Sequence, residues 1–355
     1  MKVPSLKIGS IEIKVPLLQG GMGVKVSLSS LAAAVSNEGC MGTISSIGLG
    51  DVEKSKTGYE VESRENFIRE IRTAREMTKG PIAVNVMGVL SNSDDLVLTA
   101  AREKVDCIAY GAGIPFNLPL LVKDYPVNLM PIISSDRLAS IILKNWDRKA
   151  NRVPDAFILE GPKAGGHLGF SPEQLENIDE NSLELILPKI LETVKPFEDK
   201  YGRKIPVIVA GGIFSGADIA AMLRLGASGV QMASRFVCTH ECGVSENFKQ
   251  AYIKATEDDI VIIKSPVGMP GRAIKNDFLR ALETEVRKPI KCDFRCLTAC
   301  QAQDAQYCIA LALVKSYIGD VDNGLLFCGA STHRIKEIVS VKELVAELVR
   351  DIEAA

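Results

Sequence analysis

The chain has 355 residues, a length that suits about two domains of roughly 150 residues each or a single α/β barrel with an appendage. Hydrophobic residues make up 46% and charged residues 24%, close to the average globular chain, which excludes disordered and fibrous classes. The formal net charge of −2 provides no overall field to attract nucleic acid or an anionic membrane, so neither is expected as a partner.

The first residues and the cysteine content bear on the compartment. No apolar run reaches the about 18 residues of a membrane-spanning helix, and residues 1–10 lack the continuous apolar stretch of a signal peptide. We therefore expect a cytoplasmic protein. In that reducing compartment the nine cysteines are expected to be thiols rather than disulfides.

Short apolar runs alternate with helical patterns over the first two thirds of the chain, which is typical of a parallel sheet. The predicted strands are 15–19, 41–46, 82–86, 107–110, 127–133, 156–160, 205–210 and 229–232. The predicted helices are 27–38, 63–78, 93–104, 116–123, 136–149, 183–201 and 216–225. Eight strand-then-helix units favour an α/β fold of the (β/α)₈ TIM-barrel type over a doubly wound sheet.

The rest of the chain is less regular. It contains a Pro/Gly-rich loop (265–272), a cysteine-rich stretch (292–308), an apolar helix that runs to about Tyr317, and an amphipathic helix (341–353). We predict three parts: a barrel over 1–237, an appended lid subdomain over 238–330, and a segment over 331–355 whose helix returns to the outer ring of the barrel.

Glycines follow several predicted strands, at the barrel face where active sites are built. For a single loop they can equally reflect a tight turn, but two neighbouring loops coincide with the usual phosphate position after strands seven and eight. Gly211-Gly212 and Ala233-Ser234 could together bind one phosphate through backbone N–H groups, with the Ser234 hydroxyl as a further donor.

The cofactor follows from that phosphate site. Neither a Rossmann nor a P-loop glycine motif occurs. One terminal phosphate and a glycine-lined floor suggest a mononucleotide such as FMN. Asn85 and Gln19, at the ends of strands three and one, could offer amides to a flavin ring.

Only three histidines occur in the chain. His167 lies between glycines after strand six, at the predicted mouth of the barrel. It is the candidate base because imidazole titrates near neutral pH and can remove a proton from a carbon acid within hydrogen-bond reach. A structural histidine is the alternative. For His240 and His333 we expect structural or surface roles.

Five segments carry a family resemblance: LQGGMGV (18–24), AAAVSN (32–37), EGPKAGGHLG (160–169), VAGGI (209–213) and GVQMASRF (229–236). They resemble the nitronate monooxygenase family, formerly called 2-nitropropane dioxygenases. The resemblance implies an FMN-containing barrel that oxidises alkyl nitronates with dioxygen to carbonyl compounds and nitrite, with His167 as the catalytic base. The positions that it implies for the flavin are Gln19, Gly20, Gly21, Met22, Gly23, Asn85, Glu160, Gly165, Gly166, Ala210, Gly211, Gly212, Gln231, Met232, Ala233 and Ser234.

Two rival functions stay open. Flavin-type enoyl-acyl carrier protein reductases share this barrel and histidine, so the substrate could be an enoyl thioester with NAD(P)H as reductant, or the chain could be a general flavin reductase. A phosphate- or flavin-binding protein without catalysis is the rival of another class. The sequence leaves the oligomeric state open.

The chain departs from the family pattern in two places. Ala233-Ser234 stands where the family commonly has Gly-Thr, and serine keeps the hydroxyl. Residues 324–330 (GLLFCGA) stand where a segment ending in Ala-Gly-Gln is usual, so a contact made by that glutamine is missing.

Cys292, Cys296, Cys300 and Cys308 are spaced by four, four and eight residues. This spacing would align them on one helix face, but it matches metal-site patterns only in part. We predict free thiols and no metal site, with a metal or redox function as the alternative.

Overall fold

A computed structural model describes residues 1–50, 58–284, 290, 292, 296–298, 300–301 and 304–355. The strands of this part are β1 (Leu6–Ile8), β2 (Ile11–Ile13), β3 (Leu17–Gln19), β4 (Gly42–Ser45), β5 (Ile82–Met87), β6 (Cys107–Gly111), β7 (Asn128–Ile133), β8 (Phe157–Glu160), β9 (Gly166–His167), β10 (Val207–Ala210), β11 (Gly229–Met232), β12 (Ile260–Lys264) and β13 (Pro270–Ile274).

Helices connect the strands and cover the sheet. They are α1 (Ser29–Asn37), α2 (Tyr59–Met77), α3 (Ser93–Arg102), α4 (Leu118–Leu121), α5 (Asp136–Ala150), α6 (Pro172–Glu176), α7 (Leu183–Tyr201), α8 (Gly216–Arg224), α9 (Ser234–Val237), α10 (Glu246–Lys254), α11 (Asp277–Thr284), α12 (Ile309–Ile318) and α13 (Val341–Ala354). The described residues contain no helix that is both long and apolar enough to cross a membrane.

The predicted TIM barrel is confirmed. Eight parallel strands form one sheet in the order β3-β11-β10-β8-β7-β6-β5-β4. Between its end strands, the N–H of Gln19 donates to the Met41 carbonyl at 2.9 Å and the N–H of Met41 donates to the Leu17 carbonyl at 3.0 Å. These bonds close the sheet. Each predicted strand lies within two residues of an observed one at both ends.

A hairpin that the sequence analysis missed seals the amino end of the barrel. β1 and β2 pair antiparallel, with Leu6 opposite Ile13 and Ile8 opposite Ile11. Leu6, Ile8 and Ile13 are buried against the inward-facing side chains of the barrel strands. The barrel is therefore open to ligands from its carboxyl end.

The last helix packs on the outside of the barrel. Ser340 caps α13, because its Oγ accepts the Glu343 N–H at 3.1 Å and the Glu343 carboxylate accepts the Ser340 N–H at 2.8 Å. Leu344, Leu348 and Ile352 form a buried face of α13, which lies against α8 and α1.

The region after the barrel adds a small sheet above the carboxyl ends of the strands. β12 and β13 form an antiparallel hairpin, and β9 from the loop after β8 pairs with β13. The predicted helix 116–123 is only the short α4. Residues 293–295, 299 and 302–303 of the predicted cysteine-rich stretch lie outside the described residues, and the division into three parts stays a prediction.

Candidate functional site

A cavity of about 550 Å³ lies at the carboxyl ends of the barrel strands, within the size range of small-molecule sites. It collects the predicted site residues from the loops after β3, β5, β8, β10 and β11. Gln19 is the exception. The predicted residues that line the cavity are Gly20, Gly21, Met22, Gly23, Asn85, Glu160, Gly165, Gly166, His167, Ala210, Gly211, Gly212, Gln231, Met232, Ala233 and Ser234.

The side chain of Gln19 points away from the cavity and is fully buried. Its Nε2 donates to Ser27 Oγ at 2.8 Å, and its Oε1 accepts the Thr43 N–H at 3.0 Å. These bonds use its amide, so Gln19 braces the loop that carries the first glycines instead of offering the amide to a ligand.

Polar side chains from three strands form the floor of the cavity. Strand alternation places Asn85 and Glu160 on the inward face, two residues beyond the buried Ala83 and Ile158. Gln231 reaches the floor from β11. Gly21 must be glycine here, because an added Cβ would lie 2.3 Å from Asn85 Cβ.

Glu160 is the acidic member of this floor. No hydrogen bond to its carboxyl occurs within the described residues, and burial raises its pKa to about 7. A substantial fraction of the carboxyl groups is therefore protonated at neutral pH. Glu160 can then donate a hydrogen bond to a ligand on the floor.

His167 is held at the cavity wall by the small sheet. It pairs with Gly271 of β13, and its Nε2 lies 2.8 Å from Ser265 Oγ in a hydrogen bond whose direction depends on the histidine tautomer. Its ring contacts Phe327 edge-on, with ring centroids 4.9 Å apart. Burial lowers its pKa to about 4, so the imidazole is neutral at pH 7.

A buried arginine fixes the loop that carries His167. Arg272 of β13 donates from Nη1 to the Pro162 carbonyl at 2.8 Å and also to the carbonyl of Ala164. The Arg272 carbonyl accepts the Cys328 N–H at 3.0 Å. Arg272 thus connects the loop after β8 to residues 324–330.

The opposite end of the cavity is suited to a phosphate. Gly211 and Gly212 have φ of +98° and +90°, a backbone conformation that other residues rarely adopt. The N–H groups of Gly212 and Ala233 have no acceptor within the described part of the chain. Ser234 Oγ accepts the Gly329 N–H at 3.0 Å and keeps its own proton to donate.

The segment that replaces the family's Ala-Gly-Gln crosses this end of the cavity. The Ala330 N–H donates to the Lys163 carbonyl at 3.1 Å, and Ser331 Oγ donates to the Gly212 carbonyl at 3.4 Å. Residues 328–332 therefore line the cavity and connect the loops after β8, β10 and β11 without the missing glutamine.

Sequence reasoning missed Ser265, Phe327 and Arg272. Ser265 lies 98 residues from His167 and begins the Pro/Gly-rich loop, so only the pairing of β9 with β13 brings the two side chains together. The Pro/Gly-rich loop was the one sequence feature that could have indicated this contact.

An apolar side of the cavity was also not predicted from the sequence. It is formed by Leu90, Leu297, Ile309, Leu313 and Leu325.

The other two histidines lie outside the cavity lining. His240 is exposed, and His333 Nδ1 lies 3.2 Å from the Ala330 carbonyl oxygen.

Cys296 lines the cavity beside its apolar side. Burial raises the pKa of its thiol to about 12, and the charges of the neighbouring thiols add to the shift. The described part of the stretch is not one helix, since residues 296–298 run beside residues 89–91 through a Leu90–Leu297 bridge. Among the described residues no three His, Cys, Asp or Glu side chains are arranged to hold a metal ion.

Comparisons with known proteins show the family of this chain. The nitronate monooxygenase family profile matches residues 4–101 and 91–351. A probable nitronate monooxygenase of Staphylococcus saprophyticus is 25% identical over 313 residues, which cover 79% of this chain and 81% of that protein. A (3aS,4S,5R,7aS)-5-hydroxy-7a-methyl-1-oxo-octahydro-1H-indene-4-carboxyl-CoA dehydrogenase of Mycobacterium tuberculosis is 28% identical over 277 residues, 78% of this chain and 68% of that protein.

Solved structures of related proteins have a similar fold. FabK from Thermotoga maritima is 29% identical with a TM-score of 0.74, covering 96% of this chain and 93% of that one. Nitroalkane oxidase from Streptomyces ansochromogenes, at 21% identity, a TM-score of 0.74 and 96% coverage of both chains, shows the shared fold. The family and the named relatives indicate an oxidoreductase. Because the family profile spans nearly the whole sequence, the chain belongs to the nitronate monooxygenase family.

Proposed function

We propose that the chain is an FMN-dependent nitronate monooxygenase that converts alkyl nitronates and dioxygen into carbonyl compounds and nitrite. The observation that carries the proposal is one cavity with His167 on its wall and a glycine-walled phosphate site at its end, in a chain of this family. We also propose that the protein is located in the cytoplasm.

The residues of the cavity fit FMN. The unpaired N–H groups of Gly212 and Ala233, with the Ser234 hydroxyl, would hold its phosphate. Asn85 and Gln231 would offer amides to the ring system from the floor. When bound there, FMN would accept electrons from the nitronate and pass them to dioxygen.

The protonation states favour an anionic substrate that has already lost its proton. His167 is neutral at pH 7 and fixed by Ser265, so it can bind the nitro group without changing charge. A buried imidazole with a pKa of about 4 is a weaker base for removing a proton from a neutral nitroalkane, because base strength should match the working pH. Protonated Glu160 places no negative charge below an anionic ligand.

The test is oxygen uptake by the FMN-loaded protein with a small alkyl nitronate, without pyridine nucleotide, with nitrite measured in the same sample. We expect dioxygen consumption and nitrite release, with slower turnover of the corresponding neutral nitroalkane. A chain that binds FMN but turns over neither compound would contradict the proposed reaction.

The apolar side of the cavity favours a second candidate, reduction of an enoyl thioester by NAD(P)H. Its five aliphatic side chains could bind an acyl chain, and one relative is named as a dehydrogenase of a CoA-linked compound. Anaerobic mixing with NADH and NADPH separates the two reactions. Fast reduction of the flavin followed by consumption of a short enoyl thioester would favour this second candidate.

A further inference from the structure

We propose that Lys163 supplies the positive charge that pairs with the terminal phosphate of the flavin, and thereby sets a preference for FMN over riboflavin, its phosphate-free form. This inference rests on the proposed cofactor. Lys163 belongs to the loop after β8 and lines the cavity although its side chain is exposed.

The first observation is the course of the Lys163 side chain. An added Cβ at Gly212 would lie 3.0 Å from Lys163 Cβ and 3.2 Å from Lys163 Cδ. The aliphatic part of the lysine therefore runs along Gly212, whose N–H has no acceptor within the described residues. The stem of the lysine therefore lies beside the backbone groups that would hold the phosphate, and its length allows the ammonium group to reach a phosphate bound there.

The second observation is that this lysine has no other charge to pair with. Its ammonium group forms no ion pair or hydrogen bond with any residue that the structure describes. Glu160 lies three residues earlier, yet burial alone acts on the pKa of its carboxyl, so the two groups do not neutralise each other.

The other cation of the cavity lining is already paired. Arg235 binds both carboxylate oxygens of Glu347, at 2.8 Å and 2.9 Å, and stacks over Phe214. Its charge is balanced on the outer side of the barrel. Lys163 is thus the one lining cation of the described chain whose charge is free for an anionic ligand.

The loop backbone holds Lys163 in this position from both sides. Arg272 donates to the carbonyls of Pro162 and Ala164, and the Lys163 carbonyl accepts the Ala330 N–H. The backbone is therefore fixed, and only the end of the side chain is free to follow the phosphate.

The experiment titrates flavin-free full-length protein with FMN and with riboflavin, with flavin fluorescence as the readout. Lys163→Met should weaken FMN binding by about 5- to 20-fold, between the effects of an exposed ion pair and of a hydrogen bond to a charged group. Riboflavin binding should change less than about twofold, because riboflavin has no phosphate for the lost charge to contact. Lys163→Arg should restore the preference for FMN.

Lys204→Met is the matched control. Lys204 is an exposed lysine that pairs with Glu198 near the amino end of β10, at the opposite end of the barrel. The Lys204→Met variant should bind FMN and riboflavin with the same affinities as the wild-type protein. Raising the salt concentration should reduce the FMN affinity of the wild-type protein more than that of Lys163→Met.

Different results separate the inference from the proposed function. If FMN binds tightly and Lys163→Met leaves the ratio of FMN to riboflavin affinity unchanged, the role of Lys163 is wrong while the cofactor stands. Equal weakening of both flavins would also overturn it, because the lysine would then support the loop. A wild-type chain that binds neither flavin would contradict the cofactor itself.

Discussion

Replacing Gly212 by alanine is expected to separate the stability of the barrel from its ability to hold a flavin phosphate. Gly212 has φ of +90°, so an alanine there should destabilise the protein by about 1–3 kcal/mol through backbone strain alone. The new Cβ would also lie 3.0 Å from Lys163 Cβ. It would push the lysine stem and the loop after β8 away from the phosphate site.

We expect FMN affinity to fall by at least about tenfold, or 1.4 kcal/mol. The assay is fluorescence titration of the flavin-free protein with FMN, together with its thermal midpoint. Gly202→Ala is the control, because Gly202 also has positive φ (+62°) but ends α7 at the other face of the barrel, where an added Cβ would meet nothing within 4 Å. It should lose comparable stability and no FMN affinity.

Equal FMN affinity in the wild type and Gly212→Ala would refute the reasoning, since the phosphate would then bind elsewhere. Equal losses of affinity in both glycine variants would also refute it. The affinity would in that case follow the general stability of the barrel and not the space above Gly212.

Three further predictions concern His167 and Glu160, which line the cavity. His167→Ala should lower kcat/KM for the preformed nitronate and for the neutral nitroalkane by similar factors of about 10- to 100-fold, because the proposed role of the neutral His167 is to bind the nitro group, and a hydrogen bond to a charged group is worth about 1.5–3 kcal/mol. Flavin content should stay near normal. A loss of about 10²- to 10⁴-fold confined to the neutral nitroalkane would contradict this role and indicate a general base. Because the pKa of Glu160 is raised to about 7, ionisation above pH 7 should place a negative charge below an anionic nitronate and reduce its kcat/KM, and Glu160→Gln should remove this alkaline decline. The same raised pKa means that the contribution of Glu160 to the stability of the flavin-free protein falls as pH rises from about 4.5 to 7, since the unfolded chain releases this proton first. The unfolding midpoint of Glu160→Gln should therefore rise relative to that of the wild type over this pH range. A difference between the two midpoints that does not change with pH would contradict the raised pKa.

The barrel could be predicted from the sequence because each of its strands is an apolar run followed by a helical pattern. The glycine pairs at its carboxyl face could be predicted for the same reason, since the order of the strands places them together. The hairpin β1–β2 was missed because each strand has only three residues and the LKIGSIEI alternation is too short to separate from a loop.

Contacts between distant segments could not be predicted. β9 has two residues and exists only because β13 pairs with it, so neither the Ser265 contact of His167 nor its low pKa could be deduced from the glycine-rich loop. For Gln19 the sequence predicted a ligand contact that the structure does not contain. Its place at a strand end suggested a ligand contact, but strand alternation turns its amide toward Ser27 and Thr43.

The central claim is that electrons enter this site from a nitronate. Its most direct test is anaerobic titration of the FMN-loaded protein with propyl nitronate, and in a parallel sample with NADPH, while the flavin absorbance is recorded. The account predicts that the nitronate changes the flavin spectrum, that dioxygen then restores it with release of nitrite, and that NADPH leaves it nearly unchanged over the same time. Rapid bleaching by NADPH with no response to the nitronate would contradict the account.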